Sequence, residues 1–195
     1  MTLRLELAEL GLPALDALRV DALAVFVGPE RPLQGLAGYA DWRLCGALSR
    51  AIRAGHFDGG YGEALLIPSA GRLPVDRIFC FGLGEAPLDV ERYGKALLDE
   101  CGAMQRARSE AFATSLPPCP SEGEGAIPAA RLWLEACARF QGRRLVLLGD
   151  SRALARDLGA AKQALGADVE IVPPTARVEM PARPMSLPPS GHMVR

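Results

Sequence analysis

Two histidines, five cysteines and a scatter of serines are the nucleophilic and metal-ligating side chains that this 195-residue chain offers. His56 lies in a glycine-rich loop and His192 in a proline-rich terminal stretch. Neither stands at an i, i+4 spacing with another histidine or a motif-bearing glutamate. A metal centre needs several carboxylate, imidazole or thiolate ligands converging on one point, so no metal site is expected. Ser49, Ser69 and Ser151 are candidate nucleophiles by residue type alone. None lies in G-x-S-x-G, the turn that exposes a hydrolase serine, and His56 is the one base that could serve them. Ser151 is read instead as part of a helix cap beside Asp150. Cys80 sits inside an apolar run, where burial raises a thiol's pKa and makes it inert. Cys45, Cys101 and Cys137 fall in helical patterns and are read as small core residues. With Cys119 the count is odd and no CxxC spacing occurs, which predicts reduced thiols. No cofactor is expected.

Glycine could still supply phosphate chemistry. Gly82-Leu83-Gly84 follows a predicted strand, but Glu85, Ala86 and Pro87 stand where a dinucleotide fingerprint needs a third glycine opening a helix. A tight turn off the sheet is the simpler role. Gly149-Asp150-Ser151 is a similar weak signal, since amides at a helix start can hold an anion. The loop Gly55-His-Phe-Asp-Gly-Gly-Tyr-Gly62 reads as a chain reversal between a helix end and a strand. Its aromatics, Phe57 and Tyr61, are expected to be exposed and to anchor an interface. Trp42 and Trp133 are expected to pack helices onto a sheet.

Composition limits the partners. Basic and acidic residues number 22 and 23, a net charge of −1, which leaves no electrostatic footprint for nucleic acid or an anionic membrane surface. Every apolar run is interrupted well short of the roughly 20 residues a membrane helix needs. The alternating start, with Glu6 and Glu9, is unlike a signal peptide, so a cytoplasmic protein is expected. A hydrophobic fraction of 49% is ample for one sizeable core.

The elements that would position these residues follow from periodicity. Leu3 to Leu7 alternates as a half-buried strand, and Asp21 to Val27 is a nearly continuous apolar run, as in a strand covered on both faces. Leu36, Tyr39, Leu44, Leu48 and Ile52 recur at helical spacing up to Gly55. Glu63 to Ser69 and Arg77 to Gly82 are strands joined by so short a connector that they should be adjacent and antiparallel. Asp89 is placed to cap a helix from Val90 to about Ser109, with Tyr93, Leu97, Cys101 and Met104 inward. A weaker strand at 111–116, a helix at 127–140, a strand at 143–149, a helix ending before Gly166 and a strand at 168–172 complete the pattern. Strands interleaved with helices predict an α/β sandwich with helices on both faces of a mixed sheet. Residues 1–172 would form one domain and 173–195 a proline-rich tail, disordered or bound to a partner.

Five short motifs in order carry a family resemblance. They are Leu33 to Gly38, Gly46 to Leu48, Gly55 to Gly62, Glu63 to Pro68 and Gly82 to Gly84, densest between about residues 21 and 102. Together they resemble the N-terminal, non-catalytic domain of the leucyl aminopeptidase family. The resemblance implies a three-layer α/β/α, macro-like fold with a central mixed sheet, related in topology to ADP-ribose-binding domains. It also implies that catalysis belongs to a separate C-terminal domain with two metal ions. That domain's lysine, aspartates, glutamate and Asn-Thr-Asp-Ala-Glu-Gly-Arg string have no counterpart in this sequence.

Three functional readings follow. The first is a non-enzymatic domain acting in assembly, as a homo-oligomer or with a protein partner, with the tail as an adaptable arm. The second is a module for ADP-ribose or another nucleotide. Its crevice would lie beyond the carboxyl ends of the strands, among Gly28, Arg31, Gly35, Gly38, Gly82 and Gly84, with Arg31 available to a phosphate. The third, an orphan hydrolase, has no motif behind it.

Overall fold

The computed structural model describes residues 3–85, 88–118, 129–140, 144–166 and 168–173. Seven strands, β1 (Leu3–Glu9), β2 (Ala22–Val27), β3 (Ala64–Pro68), β4 (Arg77–Gly82), β5 (Ala111–Thr114), β6 (Arg144–Gly149) and β7 (Val169–Val172), form one sheet in the order β3-β4-β2-β5-β6-β1-β7. All neighbours pair in parallel except β3, which runs antiparallel to β4 through Ala64↔Phe81 to Pro68↔Arg77. The short 70–76 connector enforces that one reversal, so the sheet is mixed, as its length predicts.

Helices cover both faces. On one lie α1 (Leu12–Asp16), α2 (Gly35–Arg43) and α3 (Ala47–Arg53); on the other lie α4 (Val90–Arg106), α5 (Ala129–Cys137) and α6 (Ser151–Leu165). The arrangement is the expected α/β/α sandwich. β2, covered on both faces, is buried at every residue, which is why its sequence is an unbroken apolar run. Its side chains divide between two cores: Ala22, Ala24 and Phe26 meet the α4–α6 layer, while Leu23, Val25 and Val27 meet the α1–α3 layer.

Caps form where the sequence places them. The Asp89 carboxylate accepts from Arg92 N at the start of α4, and that of Asp150 accepts from Arg152 N and Ala153 N at the start of α6. Gly166 closes α6 in the left-handed region.

Several expectations need correction. The single helix expected from Leu36 to Ile52 is two, broken at Leu44–Gly46, where Cys45 and Gly46 both adopt positive φ. The Asp41 carboxylate holds the break, accepting from Leu48 N, Ser49 N and Ser49 Oγ at 2.9, 3.1 and 2.5 Å. Cys45 is therefore exposed, not a core residue. Trp42 is 64% exposed and stacks under the Arg43 guanidinium, whereas Trp133 is fully buried as expected. Phe57 is only 3% exposed, because its ring turns inward to join the α1–α3 core. It cannot anchor an interface. Short α1, whose Pro13 sits in its first turn, is an element that the periodicity does not reveal. The expected helix start at Ile127 and Pro128, the loop from Cys119 to Gly125, and the tail after Pro173 lie outside the described residues.

Candidate functional site

Because six strands run in parallel, their carboxyl ends share one edge of the sheet, where the chain turns away into loops and leaves a crevice. A cleft of about 420 Å³ opens there. Val27 and Gly28 after β2, Leu83 after β4, Ser115 to Pro118 after β5, and Leu148 and Gly149 of β6 line it, with Leu10 and Leu154 at its far side. Residues 33–37, at the start of α2, close the other wall.

The lining is dominated by Leu, Phe, Val and Pro, and among the described residues its one ionisable side chain is acidic, Glu30. Gly28 lies against the Glu30 carboxylate, the flexible end of an exposed side chain. Of the residues expected to bind a ligand, Gly28 and Gly35 line the cleft. Gly38 instead turns its bare Cα toward the Leu33 carbonyl. Gly82 abuts Gly59 and Gly60 so closely that a Cβ would strike their backbone, and Gly84 lies against Tyr61. These are packing glycines. Arg31 donates to the carbonyls of Gly28, Glu30 and Asp58 at 2.8, 2.8 and 3.1 Å, so its guanidinium braces the loop. Tyr61 is half-buried beneath Arg92 and donates its hydroxyl to the Arg92 carbonyl.

The amides at the start of α6 are also taken. Besides Asp150, the Glu9 carboxylate accepts from Ser151 N at 3.1 Å and from the Ser151 hydroxyl. Two of the protein's own carboxylates thus fill the place that an anion would use. Ser151 is the first helical residue rather than a nucleophile, and among the described residues no cluster of His, Cys, Asp or Glu could hold a metal. Cys80 is fully buried, and burial, with Asp41 nearby, pushes its thiol up to about 12. Cys137 is likewise raised, by burial first and then by its contact with Cys101. Neither thiol is poised to react.

One ionisable group escaped sequence reasoning. Glu100 of α4 is completely buried; one carboxylate oxygen accepts from the Thr114 hydroxyl and the other has no partner among the described residues. Burial pushes it up to about 8, against the opposing pull of Thr114. It lies beneath the helices in the α4–α6 core, away from the cleft lining. The cleft residues that reasoning missed, Leu10, Leu116 to Pro118, Leu148 and Leu154, mostly follow directly on strands. Their signal was the strand-end rule applied to every parallel strand rather than to the glycine loops alone.

Comparison with known proteins agrees with this architecture. Residues 24–139 match the model of the cytosol aminopeptidase family, N-terminal domain. A probable cytosol aminopeptidase of Pseudomonas aeruginosa (strain UCBPP-PA14) is 28% identical over 124 residues, 63% of this chain and 25% of that protein. The chain spans no more than about a third of the length of the curated relatives it matches. Among solved structures, a tomato leucine aminopeptidase mutant superposes with a TM-score of 0.59 at 17% identity, over 84% of this chain and 36% of that one. A variant of the Oceanobacillus iheyensis macrodomain solved with ADPR gives 0.54 at 14% identity, over 83% and 92%. These two likenesses carry the fold, a macrodomain-like sandwich. The matched span covers more than half of the sequence and includes the glycine loops, β2 to β5 and the α2–α3 break. The chain belongs to the cytosol aminopeptidase family, whose N-terminal domain it carries.

Proposed function

We propose that this domain is non-catalytic and works through contacts with other protein surfaces, in assembly or regulation. The observation that carries this reading is the chemistry of the strand-end cleft. Its walls are apolar, its one ionisable side chain is acidic, and the nearby Arg31 and α6 amides are already engaged within the protein. A diphosphate carries two or more negative charges and needs donors to replace its water; among the described residues the cleft lining supplies neither a cation nor a free helix terminus. Apolar surface elsewhere is open to partners: Trp42 and Tyr39 stand on the outer side of α2, and Leu66 stands on the edge strand β3. Aminopeptidase activity is not expected of these residues, since no metal-ligating cluster occurs among those described.

A second reading, ADP-ribose or nucleotide binding, is favoured by the position of the cleft at the strand ends and by the macrodomain-like fold. One pair of measurements separates the two. A ligand that binds the folded state raises its melting temperature in proportion to RT ln(1 + [L]/Kd). Millimolar ADP-ribose is expected to leave the melting temperature unchanged, while light scattering over micromolar to hundreds of micromolar protein shows a mass rising above the 20.7 kDa of one chain. A clear thermal shift with a constant monomer mass would transfer the function to the nucleotide reading.

A further inference from the structure

The free edge of β3 is built to accept another strand. Gly82 N donates to the Glu63 carbonyl at 2.9 Å and Ser69 N to the Asp76 carbonyl at 3.1 Å. With the antiparallel register fixed at both ends, residues 63, 65, 67 and 69 turn their backbone groups toward β4. Ala64, Leu66 and Pro68 therefore turn theirs outward, and among the described residues no strand pairs with them. The outward row offers donors at Ala64 and Leu66 and acceptors at all three. Pro68 lies at one of these outward positions, where a missing N–H breaks no bond to β4.

This row is its own complement. Turned about a two-fold axis at Leu66, two copies exchange both Leu66 bonds, and each Ala64 N–H meets the Pro68 carbonyl opposite. Every outward donor is then satisfied, and the Ala64 carbonyl opposite each proline is left to water. The side chains agree. Leu66 is 55% exposed, and in this register the two Leu66 side chains oppose each other on one face, flanked by Ala64 and Pro68. Residues 64–71 carry no charge to oppose such pairing; β3 is short and ends in a proline, yet neither device removes the two Leu66 bonds.

We propose that β3 pairs antiparallel with β3 of a second copy of this chain about Leu66, joining two seven-stranded sheets into one. This rests on the protein-contact reading above and names its partner and place. The test uses the full chain with Cys45→Ala, which removes the exposed thiol among the described residues, and Cys119→Ala, which removes the thiol outside them. Leu66→Cys is expected to form a disulfide-linked dimer under mild oxidation, because directly opposed residues lie about 5.5 Å apart, within disulfide reach. Ala64→Cys, facing Pro68, is expected to remain monomeric on the same gel. Without oxidation, Leu66→Arg should weaken self-association at least tenfold by sedimentation, with an unchanged circular dichroism spectrum, while Trp42→Ala leaves it as it was. Equal cross-linking at 64 and 66, or none at 66, overturns the pairing. If Trp42→Ala rather than Leu66→Arg abolishes association, the edge proposal fails but the protein-contact reading stands. A monomer at every concentration, with Ala64 and Leu66 amides protected from hydrogen exchange, also overturns it, since the edge would then be covered within one chain.

Discussion

The two helical layers treat their tryptophans in opposite ways. In the α4–α6 layer Trp133 is buried completely, alongside Tyr93, Leu97, Met104, Leu134 and Leu158. In the α1–α3 layer the inward residues of α2 are Leu36, Ala37 and Ala40, and Trp42 points to solvent. Large side chains on long helices shut water out of the first layer so thoroughly that Glu100 is pushed up to about 8. In the second layer α2 meets the sheet through Leu36, Ala37 and Ala40 and leaves Tyr39 and Trp42 exposed. One layer is committed to the core, and the other has surface to spare.

The sharpest test of that contrast is a pair of truncations. Trp133→Ala should lose about 3–5 kcal/mol in urea denaturation through cavity formation. An equal loss at Trp42 would erase the distinction between the layers.

Glu100 tests the dryness of the first layer through pH. Its folded pKa, about 8, lies above the ordinary value of 4.5, so between those limits the folded chain keeps a proton that the unfolded chain has released. Stability should be greatest below about pH 4.5 as far as this group is concerned. It should fall by up to about 1.4 kcal/mol per pH unit as pH rises, and level off above about 8. Glu100→Gln should flatten that part of the profile. Parallel profiles for the two proteins would mean that water reaches the carboxylate.

In the second layer the strongest polar device is Asp41, which holds the amides of Leu48 and Ser49 across the helix break. Asp41→Ala should cost about 1–2 kcal/mol, the scale of a lost helix cap, read as a lower melting temperature. Trp42→Ala should change stability by less than about 0.5 kcal/mol, as exposed positions usually do.

The strands and their faces were legible because alternation and apolar runs report burial directly. β2 is an unbroken apolar run since both its faces are covered; β3 is half open and still reads as a strand, through its β-favouring Leu-Leu-Ile and the turns around it. The α2–α3 break was not legible because Leu36, Leu44 and Leu48 keep helical spacing across it. What breaks the helix is a carboxylate seven residues from its first amide, a contact that periodicity does not encode. A clue was present in Cys45-Gly46 ahead of Ala47, where glycine can take the positive φ that ends one helix and starts another. Phe57 misled for a related reason: glycine neighbours suggest an exposed turn, yet their freedom lets the chain fold the ring back onto the core. The cleft was legible in position but not in character. Strand-end topology locates it, whereas its apolar lining comes from loops after several strands brought together only by the sheet order.

That sheet order also governs how the protein can be made. β1 is flanked by β6 and β7, pairing Arg4 with Arg144 and Leu3 with Val169, and the Arg144 guanidinium clasps Glu6 through two bonds of 2.9 and 2.6 Å. During synthesis β1 has no partner strand until β6 has been made, a wait on the order of ten seconds at ordinary elongation rates. Leu3, Leu5 and Leu7 stay uncovered throughout that interval. A strand made well before either of its neighbours is thus among the last of the sheet to be sealed.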